Sequence, residues 1–593
     1  MLIINIQILR AISVLAVLLF HLDVAAFSFG YIGVDVFFVI SGYLMAVIIP
    51  KYSPTEFLFA RIWRLYPALV AVVAVTLVLG YFLQLPGEYN SLSQSALSAL
   101  SFQSHYYFLF NTGYFDIDSR YQPLLHTWSL GNEFTAYLIV FILLLILPKI
   151  RVGRASAFLA VASGAYTAAN LFSGDVSYFD PVPRIFLFFI GYYTCTIKDR
   201  VAINYIVLAA ISLFALSAIA AFYYDDLMNK AWPNFSIFIL PLAVLPLILM
   251  DRPMLPQGKL QDAMVKIGDW SYSIYLWHWP IIAYERVLLR NEYTNTVEVF
   301  ILMAAGIIAG AISFYVIEKR RKAVFAGLPF AAVAALFAIF TNGAEYRVPK
   351  SLYAYSNVNS MINGNLFIEN TRFGLVNVDT VVNPVEGKGR LLVIGDSHSQ
   401  HILPIVKSGF VGGIYRILAE PDSAVGTWNS ISGAIDDLGI DTVLVAYRLI
   451  SKSHKDMGEL IAKLKSLNID KVIFLRDIPA YDGDPVACLF AIETSLMYRP
   501  CDFDIRNGIP LSKLANAKNP IWDLVTGSAA GPGFHFIDSH AKLCGAKSCP
   551  TYINGELILR DNNHFNERMG PDTNKKLFSI IFGGALLSGA KTP

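Results

Sequence analysis

Charge is scarce in this chain. Only 15% of its 593 residues are Asp, Glu, Lys or Arg, where soluble domains carry about 25%. Hydrophobic residues make up 55% and the mean hydropathy is +0.52, so most of the chain belongs in lipid. The shortage is uneven: residues 1 to 341 hold long apolar runs, whereas residues 342 to 593 read like a soluble domain. A net charge of +2 with no Lys- or Arg-rich tail excludes a nucleic-acid partner. A cleavable signal peptide is also missing, because Arg10 and His21 interrupt the first apolar run and no small-residue cleavage pattern follows. That run is expected to stay as a helix.

What is there is a series of runs near the ~20 apolar residues that a membrane crossing needs. They lie near 3–27, 32–49, 66–84, 124–147, 155–172, 183–197, 201–223, 234–250, 270–288, 296–317 and 323–341, which predicts about eleven transmembrane helices. Basic residues favour cytoplasmic loops. Those of Lys51–Arg64, Lys149–Arg154, Lys198–Arg200, Arg252–Lys266 and Lys319–Lys322 fall on one side, against Arg120, Lys230, Arg286 and Arg290 on the other. The N-terminus is thereby assigned to the cytoplasm and residues 342 onward to the outside. The expected division is a helical domain over 1–320, an extra helix over 323–341, a linker over 342–388 and a soluble domain over 389–593.

Four of the five cysteines lie in that soluble part, Cys488 with Cys501 and Cys544 with Cys549. Two local disulfides are the economical expectation, and they persist outside the cytoplasm, in agreement with the loop charges. Cys195 reads as a small packing residue.

Within the soluble part, Leu391–Gly395 suits a buried parallel strand and Asp396-Ser397-His398-Ser399 opens a helix after it. Further apolar runs at Thr442–Ala446, Lys471–Leu475 and Phe534–Ile537 predict an α/β/α sandwich, with Ser397 on a strand-to-helix turn where catalytic groups sit. Downstream, the three-residue step from Asp561 to His564 can bring a carboxylate and an imidazole to one side of a turn. A hydroxyl needs an imidazole to take its proton and a carboxylate to fix the tautomer.

Ionisable groups inside the bilayer are functional candidates by default. Arg10 and His21 are eleven residues apart, so they share a helix face at roughly 16 Å along the axis, with Arg10 nearer the cytoplasm and His21 deeper. Asp35 and Ser41 lie in the second run, and Arg61-x-x-Arg64 follows it as a basic pair suited to phosphates, or as ordinary cytoplasmic charge. His126, Trp128, Ser129 and Glu133 open the fourth run, His126 and Glu133 on one face. Tyr275 and His278 sit in an aromatic-rich stretch of the ninth. Nothing in these patterns reads as a metal site.

The Gly-Asp-Ser-His block with a downstream Asp-x-x-His resembles the SGNH/GDSL hydrolase superfamily, and the resemblance implies Ser397 as nucleophile with Asp561 and His564 as partners. The Gly-x-Asn block that usually completes the family's oxyanion hole is missing; Val445-Ala446-Tyr447-Arg448 stands in its place, leaving the Ser397 N–H, Gly426 and some other donor. Arg10-x₁₀-His21, Phe37-Phe38-Val39-Ile40-Ser41-Gly42-Tyr43, Arg61-x-x-Arg64, the His126-to-Glu133 block and Tyr275-Leu276-Trp277-His278-x-Pro280 resemble the acyltransferase-3 family. Gly131-Asn132 departs from the family's usual pair, so the acid carries over only as Glu133. The whole chain is similar to fused bacterial O-antigen acetylases. The resemblance implies an O-acetyltransferase of the bacterial inner membrane with acetyl-CoA as donor and a polysaccharide or lipid-linked oligosaccharide acceptor, O-antigen of lipopolysaccharide first. Arg10, Arg61 and Arg64 would hold the CoA phosphates and His21 would act as base or transient acyl carrier. Two other readings stand beside it: a membrane-tethered acetyl esterase, and a glycan or lipid transporter with a sugar-binding domain.

Overall fold

The computed structural model describes residues 2–111, 121–173, 177–198, 207–208, 210–215, 236–250, 252–289, 296–320, 327–355, 366–467, 469–481, 485–493, 503–529, 531–583 and 586. Two compact units result, Met1–Ala344 and Glu345–Pro593. Cys501 and most of the 201–223 run lie outside the described residues.

The first unit is helical: α1 Leu2–His21, α2 Ile32–Ile48, α3 Pro54–Leu83, α4 Pro86–Leu100, α5 Ser104–Asn111, α6 Trp128–Ile146, α7 Lys149–Ser173, α8 Val182–Ile197, α9 Ser236–Leu249, α10 Lys259–Leu289, α11 Thr296–Val316 and α12 Leu328–Phe340. Among the described residues, five helical stretches are long and apolar enough to cross a membrane, with shorter apolar helices at Val182–Ile197, Ile237–Leu249 and Leu328–Phe340. The chain is therefore a multi-pass membrane protein, while the count of eleven is not established by these helices. α10 falls outside the long apolar set because its sequence is richer in charged, hydroxyl and aromatic residues.

Three sequence expectations are corrected here. The first helix ends at His21 and not near residue 27, because Asp23 adopts a left-handed backbone at φ 56°; His21 thus stands at a helix end, not deep within one. Arg61 and Arg64 are not in a loop, since Ser53 and Glu56 form a capping box that starts α3 well before the apolar run. α4 was not expected at all. Its serines at 91, 93, 95 and 98 each donate to a carbonyl three or four residues back, which satisfies their polarity within the helix and permits burial without an apolar composition.

Small residues set the helix spacing. α2 and α8 approach so closely that a Cβ on Gly42 would lie 1.8 Å from the Phe188 carbonyl oxygen, and one on Gly191 would lie 2.2 Å from that of Val39. The motif glycine of Ser41-Gly42 is thereby a packing requirement.

The second unit holds a seven-stranded sheet: β1 Glu369–Phe373, β2 Val376–Val382, β3 Gly389–Gly395, β4 Gly412–Leu418, β5 Thr442–Ala446, β6 Lys471–Leu475 and β7 Phe534–Ile537, in spatial order β1-β2-β4-β3-β5-β6-β7. β4, β3, β5, β6 and β7 pair in parallel, and β1 and β2 add an antiparallel edge. The expected α/β architecture is present. Residues 369–382, assigned to the linker from sequence, are strands of this sheet. β1 is largely exposed, so it lacks the continuous apolar run by which buried strands are recognised.

Leu392, Ile394, Val443, Val445, Val472 and Phe474 point to one face and pack with Ile431, Leu460, Ile461, Ile521 and Val525. Leu391, Val393, Leu444 and Ile473 alternate with them and are buried on the other. A disulfide joins Cys544 to Cys549, and Cys488 is also disulfide-bonded.

Gly395 closes β3 where a Cβ would stand 1.8 Å from the Ala446 carbonyl oxygen. Gly395→Ala should therefore destabilise this unit by about 3 kcal/mol or more. Gly426→Ala, whose Cβ meets nothing within 4 Å, should stay within about 0.5 kcal/mol. Thermal unfolding of the two variants checks the contrast.

Candidate active site

In the second unit the site begins at the end of β3. The Asp396 carboxylate accepts the His398 N–H at 2.9 Å, the Arg448 N–H at 3.0 Å and the Lys452 ammonium at 2.8 Å. It thus clamps the β3 turn to the segment after β5 and holds Ser397 in place. Ser397 Oγ lies 2.7 Å from His564 Nε2, and His564 Nδ1 lies 2.9 Å from both oxygens of Asp561. The three residues singled out from sequence are brought together in the order a serine nucleophile needs: hydroxyl, imidazole, carboxylate.

Asp561 is held in turn. It accepts the backbone N–H groups of Asn563 and His564 at 2.9 and 2.8 Å, and Arg560 Nε donates to it at 3.2 Å. Burial works to raise this carboxyl, but His564, Arg560 and the Asn563 N–H outweigh it and keep the group well below the usual carboxylate range. Arg560 also donates to Glu567 at 2.7 Å; Glu567 accepts from Gln400 at 3.2 Å, and Gln400 accepts from Arg416 at 2.9 Å. Arg416 closes the network on Asp379 of β2 at 2.8 Å. Sequence reasoning missed this support. Its only signals were Arg560 beside Asp561 and Glu567 three residues after His564.

Two further buried histidines flank the site. The His398 and His401 rings lie 4.9 and 5.2 Å from that of His564, and His401 Nδ1 accepts the Phe565 N–H at 2.8 Å. Where a Gly-x-Asn block would stand, the buried Tyr447 hydroxyl has no hydrogen-bond partner among the described residues. Gly426 ends a short helix, Pro421–Gly426.

The helical unit holds a second centre. Arg10, Arg61, Arg64, Ser41, Ser129, Glu133, Tyr137 and Tyr275 line a cavity of about 340 Å³. Glu133 accepts from Ser41 Oγ at 2.6 Å and from Tyr137. Arg10 donates to Gln7 at 3.1 Å, and Gln7 donates to Asp269 at 2.6 Å. Arg61 Nε is buried without a hydrogen-bond partner among the described residues.

His21, His126 and His278 form a separate cluster. His21 Nδ1 lies 2.9 Å from His278 Nε2, and the His126 and His278 rings are 5.9 Å apart. Tyr275 links cluster and cavity, its hydroxyl 2.7 Å from Ser129 Oγ and donating to the His126 carbonyl at 3.0 Å. His126 and Glu133, expected on one face, thus serve different groups, because His126 lies in a 3₁₀ turn before α6.

Asp35 is engaged elsewhere. It pairs at 3.5 Å with the buried Arg184, whose guanidinium lies over Trp128 and Tyr178 at 4.4 and 4.9 Å. Arg184 was missed, although a lone arginine in an apolar run was signal enough.

Burial, reinforced by repulsion from His564 and opposed by Asp396, lowers the His398 imidazole to about 3. In the unfolded chain it titrates near 6.5. Its neutral burial therefore contributes stability that is fully present above pH 6.5 and is lost as pH falls toward 3, at about 1.4 kcal/mol per pH unit. The second unit's unfolding temperature should drop between pH 7 and pH 4, and His398→Gln should flatten that slope by about one proton. Calorimetry of the detergent-solubilised chain at several pH values measures it.

Residues 3–316 match the acyltransferase domain family, and residues 375–569 match the SGNH domain that occurs fused to such domains. A protein of Komagataeibacter xylinus named as a membrane-bound transacylase, BcsY, is 30% identical over 325 residues, covering 52% of this chain and 81% of its own. The peptidoglycan O-acetyltransferase OatA of Listeria monocytogenes is 27% identical over 387 residues, 56% of this chain and 62% of its own. The O-acetyltransferase OatA of Staphylococcus aureus is 28% identical over 352 residues, 54% and 58%. The alignment thus spans less than two thirds of either OatA. No solved structure matches. The chain is an acyltransferase belonging to the acyltransferase-3 family of membrane proteins, with an SGNH domain fused behind its helices.

Proposed function

We propose that the chain moves an acetyl group from cytoplasmic acetyl-CoA across the bacterial inner membrane to a sugar hydroxyl of a surface polysaccharide. The observation that carries this reading is the presence on one chain of an arginine-lined cavity among membrane helices and a hydrogen-bonded Ser397–His564–Asp561 relay in a separate unit. Arg10, Arg61 and Arg64 are suited to phosphates, which bind guanidinium groups through charge-assisted hydrogen bonds. The unsatisfied Arg61 Nε fits an anionic ligand. His21 acts as general base or transient acyl carrier. In the first case it takes a proton from the hydroxyl of a carrier alcohol as the new C–O bond forms, and returns it to the thiolate released when C–S breaks.

In the second stage Ser397 Oγ attacks the carbonyl carbon of the carrier-bound acetyl group, its proton passing to His564, whose positive charge Asp561 stabilises; the carrier's bond to the acetyl group then breaks and its leaving oxygen takes that proton from His564. The sugar hydroxyl then displaces the serine. The topology that suits this is eleven crossings with the N-terminus in the cytoplasm and the SGNH domain in the periplasm. O-antigen of lipopolysaccharide is the acceptor we favour, and the name of the Listeria relative sets peptidoglycan beside it for test. A second reading, a tethered acetyl esterase, rests on the same assembled triad.

Mass spectrometry of surface glycans from cells carrying wild type, Ser397→Ala and His21→Ala distinguishes these. Each variant should lower glycan acetylation at least ~10²-fold, and the mass change in wild type names the acceptor. Full acetylation by the serine variant sinks the relay, while acetate release from acetylated glycan without acetyl-CoA supports the esterase.

A further inference from the structure

The histidine cluster of the helical unit carries more than proximity. His278 Nδ1 lies 2.6 Å from the Tyr275 carbonyl oxygen and 3.2 Å from that of Ile274. A carbonyl oxygen only accepts, so Nδ1 bears the hydrogen, and in a neutral imidazole Nε2 is then an acceptor. The atom facing it at 2.9 Å is His21 Nδ1, which must donate. His21 therefore keeps its lone pair on Nε2. His126 does not compete, because it donates from Nε2 to the Leu276 carbonyl at 3.1 Å.

We propose that His278 is a positioning residue that fixes His21 in the Nδ1–H tautomer and stabilises it when His21 Nε2 accepts a proton. This rests on the reading of His21 as base or acyl carrier, both of which need the Nε2 lone pair. No proton is lost or gained by the pair over a turnover: Nε2 takes one from the attacking hydroxyl and yields it to the departing thiolate, while the Nδ1–H stays shared with His278.

The surroundings favour a fixed geometry. The two rings are stacked within 18°, the Trp279 ring lies 4.5 Å from His21, and Arg286 ties the His21 carbonyl to Asp23 at 2.8 and 2.7 Å. On the far side of His278, Gly306 of α11 leaves so little room that a Cβ there would lie 3.3 Å from the His278 Cβ. His278 does in a low-dielectric setting what a carboxylate does for His564, and as a neutral acceptor it avoids the desolvation that an ionised group there would incur.

The test uses membrane vesicles holding the full chain and the cell's own glycan, with acetyl-CoA varied and transferred acetyl groups counted. His278→Phe keeps a ring and loses the acceptor; His278→Gln sets an amide oxygen near the Nε2 position. The phenylalanine variant should lower apparent kcat by ~10²–10⁴-fold, the range that positioned acid–base catalysis contributes, with KM for acetyl-CoA within about twofold. The glutamine variant should recover at least about tenfold of that loss. Wild-type kcat in His278→Phe while His21→Ala is inactive overturns the proposal, as does a glutamine variant no better than phenylalanine when both reach wild-type abundance and melting temperature. Full transfer by His21→Ala overturns instead the reading on which the proposal rests.

Discussion

An ionisable side chain among lipid-facing helices must be paired, hydrogen-bonded or turned to a cavity, because its desolvation in hydrocarbon costs several kcal/mol. That constraint sorts the polar residues of the helical unit. Asp35 is taken up by Arg184, Asp23 by Arg286, Asp269 by Gln7 and Glu318 by Ser273. Glu133 is occupied by two hydroxyls. Once these are set aside, Arg61 and Arg64 remain on the cavity wall without a carboxylate ion pair among the described residues. A motif residue such as Asp35 is thereby separated from the cavity-lining arginines by its partner, not by its type.

The same logic in the water-exposed unit gives two aspartates opposite tasks. Asp396 spends its oxygens on two backbone N–H groups and Lys452, so it shapes the turn and has nothing left for an imidazole. Asp561 keeps both oxygens on His564 while Arg560 and backbone donors hold it charged. Behind it the run Arg560–Glu567–Gln400–Arg416–Asp379 spans from the histidine loop to the sheet edge. Such a buried network is rigid only when every member is satisfied.

How much of this was legible in the sequence depends on the range of the interaction. The buried strands β3, β5 and β6 were visible because strands covered on both faces are continuously apolar, and Asp561 and His564 because their contact is local. β1 escaped notice because its residues are exposed. α4 escaped because hydropathy does not register serines that bond to their own helix. The partition of His126 from Glu133 was illegible, since helical phase was counted through a residue that lies in a 3₁₀ turn. The pairing of His21 with His278 joins residues 257 apart, and no spacing in one sequence announces it.

The two imidazoles that carry the proposed chemistry differ in what stands behind them, and the difference follows from where each lies. His564 is backed by a carboxylate because the loop around it supplies donors to keep Asp561 ionised. His21 is backed by an imidazole that ends on carbonyls of its own helix, a chain that needs no solvated charge. A neutral acceptor stabilises an imidazolium less than a carboxylate does, so of the two supports the one behind His21 is the weaker. On the proposed roles that ordering suits the substrates. Both centres take a proton from a hydroxyl that is otherwise a poor nucleophile, but the thioester faced by His21 has a good leaving group, whereas the Ser397 step must expel an alcohol. The carboxylate-backed relay therefore stands where the poorer leaving group is expelled, in the unit whose loop supplies donors to the charge it requires.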